Sequence, residues 1–300
     1  MNKKPKLLIT GASGFTGQHA CSHFLNAGFD VTAVIRKNHF IQNELKIEYC
    51  DLTNKEEVNG LVKKVNPQYV LHLAGQNHVG QSWMDPVSAL ETNAISTAYL
   101  IDALRQEQPS CKIIIAGSAL QFNPANLSEL THPYSLSKTI QTLIAQSWGV
   151  LYKMSIVVAK PSNLIGPGFS NGVCSIFSQN IAAMEKNKAE KVLEVNNLNA
   201  RRDFIDVRDA VSAYETLLMN GEPGKTYNIS SGKSRSLGEI LNFLKSISTV
   251  EFEVRSISNQ SIERPVDTQS AELMKLGWKP AFSLESSLKD ILDYYRRIKE

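Results

Sequence analysis

Two short stretches carry side chains whose types and spacing could do chemistry. In "HPYSLSKTI" (132–140), Tyr134 and Lys138 lie one turn apart, so on a helix they share a face. An ammonium beside a phenol favours the phenolate, which makes the pair a candidate for moving a proton at a carbonyl oxygen. The same spacing occurs on the solvated side of ordinary helices, and the pair alone leaves both readings open. In "ITGASGFTG" (9–17), Gly11, Gly14 and Gly17 follow an apolar strand and open a helix. Glycines at such a turn let the backbone approach a diphosphate, and the helix N-terminus adds N–H groups and a partial positive charge. Their spacing is G-x-x-G-x-x-G rather than G-x-G-x-x-G, and a tight turn without a ligand is the alternative.

The end of the second strand refines the expected ligand. NAD-selective sites place Asp or Glu there for the ribose 2′-hydroxyl. This chain has Arg36, followed by Lys37. A guanidinium suits the 2′-phosphate of NADP and cannot accept a hydrogen bond from a hydroxyl. The expected cofactor is therefore NADP(H), with a surface arginine as the alternative. Asp51, in "CDLT", is a candidate for the adenine amino group.

These residues need a scaffold, and the first half of the chain supplies alternating elements. Strands are expected at "KLLITG" (6–11), "DVTAVIR" (30–36), "YVLHLAG" (69–75) and "KIIIAGS" (112–118). Helices are expected at 17–28, 54–66 and 87–106, the last as one long helix. Strands apolar throughout suit a parallel sheet covered on both faces, so the expected class is α/β, a doubly wound parallel sheet of Rossmann type. After "SIVVAKPSNLIGPG" (155–168) the texture loosens, with helices expected near 175–187, 236–247 and 283–299. The expected organisation is a cofactor domain of 1–160 plus about 205–232, and a smaller substrate domain of about 161–204 and 233–300.

Composition narrows the class further. The chain has 300 residues, 42% hydrophobic and 20% charged, as ordinary globular proteins do. A net charge of +3, with basic residues scattered, gives no argument for nucleic acid. No apolar run approaches the roughly 18 residues that span a bilayer, and the N-terminus reads as a first strand rather than a signal peptide. Cys21, Cys50, Cys111 and Cys174 form no C-x-x-C pair and no Cys/His cluster, so no metal site is expected. Reduced, buried thiols in a cytoplasmic protein are the expectation.

The glycine turn, Arg36, "LAGQNHVGQSW" and "YSLSK" together resemble the extended short-chain dehydrogenase/reductase family, among its nucleotide-sugar epimerases and dehydratases. The resemblance covers essentially the whole chain. It implies that Tyr134 and Lys138 are a catalytic dyad, with Ser118, at the end of "KIIIAGS", as third member. It implies a cofactor set of Gly11, Gly14, Phe15, Thr16, Gly17, Arg36, Asp51, Leu52, Leu73, Ala74, Gly75 and Lys138. It implies substrate contacts from His78 and Ser82 beside the hexose, and from Asn163, Arg202 and Arg264 toward the diphosphate. Arginine's planar fork suits that task, although each of the two could instead form a surface ion pair, and His78 could instead cap the next helix. Lys160 departs from the arginine that relatives carry before Pro-x-Asn, and Asn93 is expected to orient backbone near the site.

The residues after Ser118 bear on the reaction. Dehydratases of the family place acidic residues one and two positions after that serine, but here stand Ala119 and Leu120, which transfer no proton. "NLNARRDFIDVRDAVSAYETLL" (197–218) and "YNISSG" (227–232) resemble the branch that holds GDP-mannose 4,6-dehydratases and GDP-4-keto-6-deoxymannose reductases. The expected activity is therefore NADPH-dependent reduction of a nucleotide-linked 4-keto-6-deoxyhexose, GDP-linked in first place and a UDP-linked N-acetylhexosamine next. A 4-epimerase holding its cofactor tightly and a non-catalytic NADP-binding regulator are the alternatives. Relatives dimerise through paired helices, so a homodimer built on 87–106 and the helix beginning at Tyr134 is expected, with Leu143, Ile144 and Trp148 as apolar candidates that could equally face the chain's own sheet.

Overall fold

The computed structural model describes residues 4–36, 45–257 and 269–298, in two compact units. The first comprises Met1–Lys160, Val211–Tyr227 and Lys275–Trp278. It begins β1 (Lys6–Thr10), α1 (Phe15–Asn26), β2 (Asp30–Ile35), β3 (Lys46–Tyr49), α2 (Lys55–Val65) and β4 (Tyr69–His72). It continues with α3 (Val79–Met84), α4 (Pro86–Leu90), α5 (Ser96–Glu107), β5 (Lys112–Ala116), α6 (Pro133–Tyr152) and β6 (Ile156–Pro161).

β1 and β5 are buried along nearly their whole length, as a parallel sheet covered on both faces requires. The seven strands lie in the order β10-β6-β5-β4-β1-β2-β3, with β10 at Thr226–Ile229. Successive pairs from β6 to β3 are parallel. Strand order reverses between β1 and β4, where Thr10 is in register with His72; in such sheets ligands bind outside the strand ends at this switch point. One core layer joins Val58, Leu61 and Val62 of α2, Leu100, Ile101 and Leu104 of α5, and Ala145 of α6 to Ile113 and Ile115. Ile144 and Trp148 pack against that layer, whereas Leu143 is exposed.

The expected long helix over 87–106 is interrupted. Between α4 and α5, Glu91–Ile95 forms a π-helical segment, and Asn93 at its centre is fully buried. Such segments insert one residue into a helix and often mark functional positions. α6 starts sharply because Pro133 occupies its first turn and the His132 ring accepts the backbone N–H of Ser135 at 2.9 Å.

The second unit comprises Pro161–Ala210, Asn228–Met274 and Lys279–Glu300. Its elements are β7 (Asn163–Ile165), α7 (Val173–Glu185), β8 (Val192–Val195), β9 (Arg201–Asp206), β11 (Ser234–Ser236), α9 (Leu237–Ile247), β12 (Glu253–Ser256), α10 (Ala271–Lys275) and α11 (Leu284–Arg297), while α8 (Val207–Asn220) continues into the first unit. β7, β9 and β11 form one sheet, and β8 and β12 a second. Phe177 and Ile181 of α7, Ile240 and Leu244 of α9, and Leu288 and Leu292 of α11 close its core. No helix among the described residues is long and apolar enough to cross a membrane.

Candidate active site

The glycine turn is shaped by steric necessity. Gly11 has φ +67°, and a Cβ on it would stand 2.7 Å from the Ala74 backbone N. A Cβ on Gly17 would lie 2.1 Å from the Gly11 carbonyl oxygen, so the helix packs on the strand end only with glycine there. Gly14 is the N-cap of α1 and supplies no side-chain acceptor, and no acidic residue stands in the first turn, which includes Phe15 and Thr16. Uncapped N–H groups at this end suit a diphosphate. Leu73–Ala74–Gly75 runs past the same turn, with the Ala74 N–H donated to Thr10 Oγ1 at 3.2 Å. Arg36 is exposed just beyond β2, and its charge helps to hold the Asp51 carboxyl below its usual range, after the larger effects of the Thr53 backbone and hydroxyl. Asp51 uses Oδ1 for those bonds, at 3.0 and 2.8 Å. Leu52 packs against the core.

Three elements bring the catalytic candidates together. Ser118 follows β5, and its Oγ accepts the Leu120 N–H at 3.1 Å. Tyr134 and Lys138 lie on one face of α6 and are both buried. Burial pushes the Tyr134 phenol up, and a side-chain interaction with Ser118 pulls it back. Lys138 donates to the Ala116 carbonyl at 2.6 Å, and burial pushes its ammonium down to about 7. Burial thus favours the neutral phenol in this arrangement, the form a proton donor requires.

The supporting bonds include several that the motifs do not announce. Asn93 Oδ1 accepts the Gln76 N–H at 2.8 Å, and its Nδ2 donates to the Gln76 carbonyl at 3.0 Å and to Ser137 Oγ at 2.8 Å. Ser137 in turn donates to the Tyr134 carbonyl at 2.9 Å. The Thr97 hydroxyl donates to the Asn93 carbonyl at 2.7 Å and accepts from Gln141 Nε2 at 2.9 Å. Its hydrogen thus committed, Thr97 can only accept from His72 Nε2 at 2.8 Å, so His72 carries its proton on Nε2 and accepts from Thr10 at Nδ1, 2.7 Å away. Burial, then the Lys138 charge, pushes His72 down to about 3, consistent with that neutral ring. Gln121 Nε2 donates to the Lys138 carbonyl at 2.9 Å, tying the loop after Ser118 to α6. Gln121, His72 and Thr97 match no motif, and Ser137 fills an unmarked position of "YSLSK"; only contacts across the fold single them out.

The substrate candidates are distributed as follows. His78 caps α3, its Nδ1 accepting the Gln81 N–H at 3.1 Å. Ser82 is fully buried, donating to the Val79 carbonyl at 2.6 Å and accepting the Tyr134 N–H at 3.1 Å. These bonds give Ser82 a role in positioning α6. In the second unit, Asn163 is exposed on β7 and donates to the Asp203 carbonyl at 2.9 Å. Arg202 on β9 donates to the Arg201 carbonyl at 2.8 Å. Arg264 lies outside the described residues.

A parallel sheet with a switch point, an uncapped glycine turn and a Tyr/Lys/Ser centre defines a Rossmann-type protein built for a dinucleotide. Residues 7–230 match the NAD dependent epimerase/dehydratase family, and the chain belongs to that family. It is 31% identical to GDP-6-deoxy-D-mannose reductase of Pseudomonas aeruginosa over 98% of this chain and 99% of that one. It is 26% identical to mouse (Mus musculus) dTDP-D-glucose 4,6-dehydratase, over 97% of this chain and 89% of that one. The solved structure of RMD from Pseudomonas aeruginosa complexed with NADPH superposes with a TM-score of 0.84 at 30% identity, covering 98% of this chain and 99% of that one.

Proposed function

We propose that the protein is an NADPH-dependent 4-reductase of a nucleotide-linked 4-keto-6-deoxyhexose, with GDP-4-keto-6-deoxymannose as first substrate. The observation that carries this reading is the pairing of a buried Tyr134 beside Ser118 with the neutral Ala119 and Leu120 that follow. A carbonyl can be protonated there, whereas an elimination would find no acid or base at positions 119 and 120. Likeness to GDP-6-deoxy-D-mannose reductase and to a structure complexed with NADPH supports the same reading.

The glycine turn, Phe15, Thr16, Arg36, Asp51, Leu52 and Leu73–Gly75 would hold the cofactor, with Arg36 at the 2′-phosphate and Lys138 at the nicotinamide ribose. Bound NADPH supplies a hydride to the carbonyl carbon. Tyr134 gives its proton to the developing alkoxide and Ser118 donates a hydrogen bond to the same oxygen, stabilising charge where it forms. Lys138 then favours the resulting phenolate. His78, whose capping bond uses only Nδ1, lies on the hexose side in this reading, while Ser82, buried with its hydroxyl bonded to Val79 and Tyr134, acts through the placement of α6. Asn163, Arg202 and Arg264 serve the diphosphate. The cofactor domain spans 1–160 and about 205–232, and the substrate domain the rest. Four buried free cysteines suit a cytoplasmic enzyme, and the exposure of Leu143, Val150 and Leu151 on α6 suits a homodimer, which light scattering behind size exclusion tests.

The deciding experiment follows NADPH absorbance with GDP- and UDP-linked 4-keto-6-deoxy sugars, beside Tyr134→Phe. Oxidation with the GDP series, lost in the variant, is the expected result. Interconversion of sugars at C4 without net NADPH oxidation would make the protein an epimerase, and binding without turnover of either series a regulator.

A further inference from the structure

Beside α6 lies a cavity of about 230 Å³, lined by residues of the first unit. It is lined by Gln121 and Phe122 of the loop after Ser118, by Thr139, Thr142 and Gln146 of α6, and by Lys160 and Thr226 at the adjacent ends of β6 and β10. No carboxylate is among its lining residues.

The balance of donors and acceptors is uneven. Thr139 Oγ1 accepts the Phe122 N–H at 3.2 Å, Thr142 Oγ1 accepts from Gln121 Nε2, and Thr226 Oγ1 accepts from Gln146 Nε2 at 3.2 Å. Each hydroxyl keeps its own hydrogen to donate. Lys160 adds an ammonium whose stem passes over Gly117, with Cγ at 3.4 Å from where a Cβ would stand. Burial alone pushes that ammonium down, with no carboxylate opposing the effect. Half-buried cations are ordinarily paired, and three threonines with a free hydroxyl hydrogen lining one small space beside a lysine ask for an acceptor carrying negative charge.

We infer that this cavity is a binding site for a small oxyanion, a carboxylate or a phosphate, held by Lys160 and the hydroxyls of Thr139, Thr142 and Thr226. The space exceeds that of several waters at about 30 Å³ each, and so admits a phosphate or a short carboxylate with residual solvent. An occupant touches both the loop that carries Ser118 and the helix that carries Tyr134 and Lys138, and braces one against the other.

The test is thermal unfolding of the NADPH-loaded and the cofactor-free protein. Sodium phosphate and sodium acetate are titrated in separate arms, with sodium chloride at matched ionic strength. The expected result is a saturable rise in Tm of about 3 °C with phosphate or acetate, retained with NADPH bound. Lys160→Met abolishes it, Thr226→Val weakens it several-fold in concentration, and Arg202→Gln leaves it unchanged. Which arm saturates at lower concentration separates phosphate from carboxylate. The inference is overturned if chloride reproduces the rise, if no anion saturates, if NADPH removes the response, or if Lys160→Met responds as the parent does. Thr226→Val provides the same reading should Lys160→Met unfold.

Discussion

The two units use ionisable groups in opposite ways. In the first, the buried charge-bearing groups near the site stand among neutral partners. Lys138 meets a carbonyl, His72 two threonine hydroxyls and Lys160 no carboxylate. In the second, Asp203, Asp206 and Glu185 each gather several donors. Asp203 accepts from the Ser162 and Ser231 hydroxyls and the Ser231 and Lys233 N–H groups. Asp206 holds Arg208, which also reaches Asp290 and stacks on Phe282 at 3.7 Å, and Glu185 accepts from Nε and Nη2 of Arg296, whose Nη1 goes to Asp293. Charges paired this way are committed to holding the unit together. Charges left beside neutral dipoles keep pKa values displaced from ordinary ones, a poise that suits proton transfer.

Substitutions can break this contrast. The largest effect is expected for Tyr134→Phe, which keeps the ring and removes the acid: kcat should fall by about 10²–10⁴ with cofactor affinity retained, read by NADPH oxidation and fluorescence titration. Asp203→Ala should cost about 2–4 kcal/mol in denaturant unfolding, because four donors lose a buried acceptor, while Tyr134→Phe leaves stability near that of the parent. Arg36→Ala should weaken NADPH by about tenfold, the worth of one charge-assisted bond, and leave NADH nearly unchanged, by titration of both.

A further effect is a slope. Lys138 has its pKa lowered from 10.5 to about 7 on folding. Between those values the unfolded chain binds the extra proton, so this residue's contribution rises with pH and is lost as pH falls through 7. The stability of cofactor-free parent minus Lys138→Met should therefore increase from pH 7 to 9. A flat difference would mean that Lys138 is not desolvated as described.

Much of the first unit was legible because its cues are local. Apolar strands, the turn of Gly11, Gly14 and Gly17, and the one-turn spacing of Tyr134 and Lys138 can each be read within a few residues. Asn93 was legible as a supporting residue but not as the centre of a π segment, since periodicity alone carries one continuous helix through 87–106. His72 and Gln121 were illegible for another reason: their partners lie 62 and 17 residues away, and nothing in their own neighbourhoods marks them. In the second unit "RRDF" drew notice for Arg202, whereas its Asp203 is the residue that gathers the surrounding loops.

The four cysteines offer a different use of the same fold. Cys21, Cys50 and Cys111 are buried in the first unit and Cys174 in the second, each with its thiol pushed up to about 12 by burial. A thiol so protonated is nearly inert to alkylating reagents until the backbone around it opens. The time course of labelling at each position is thus a built-in clock for local opening, and it can time the two units separately within a single unmodified chain.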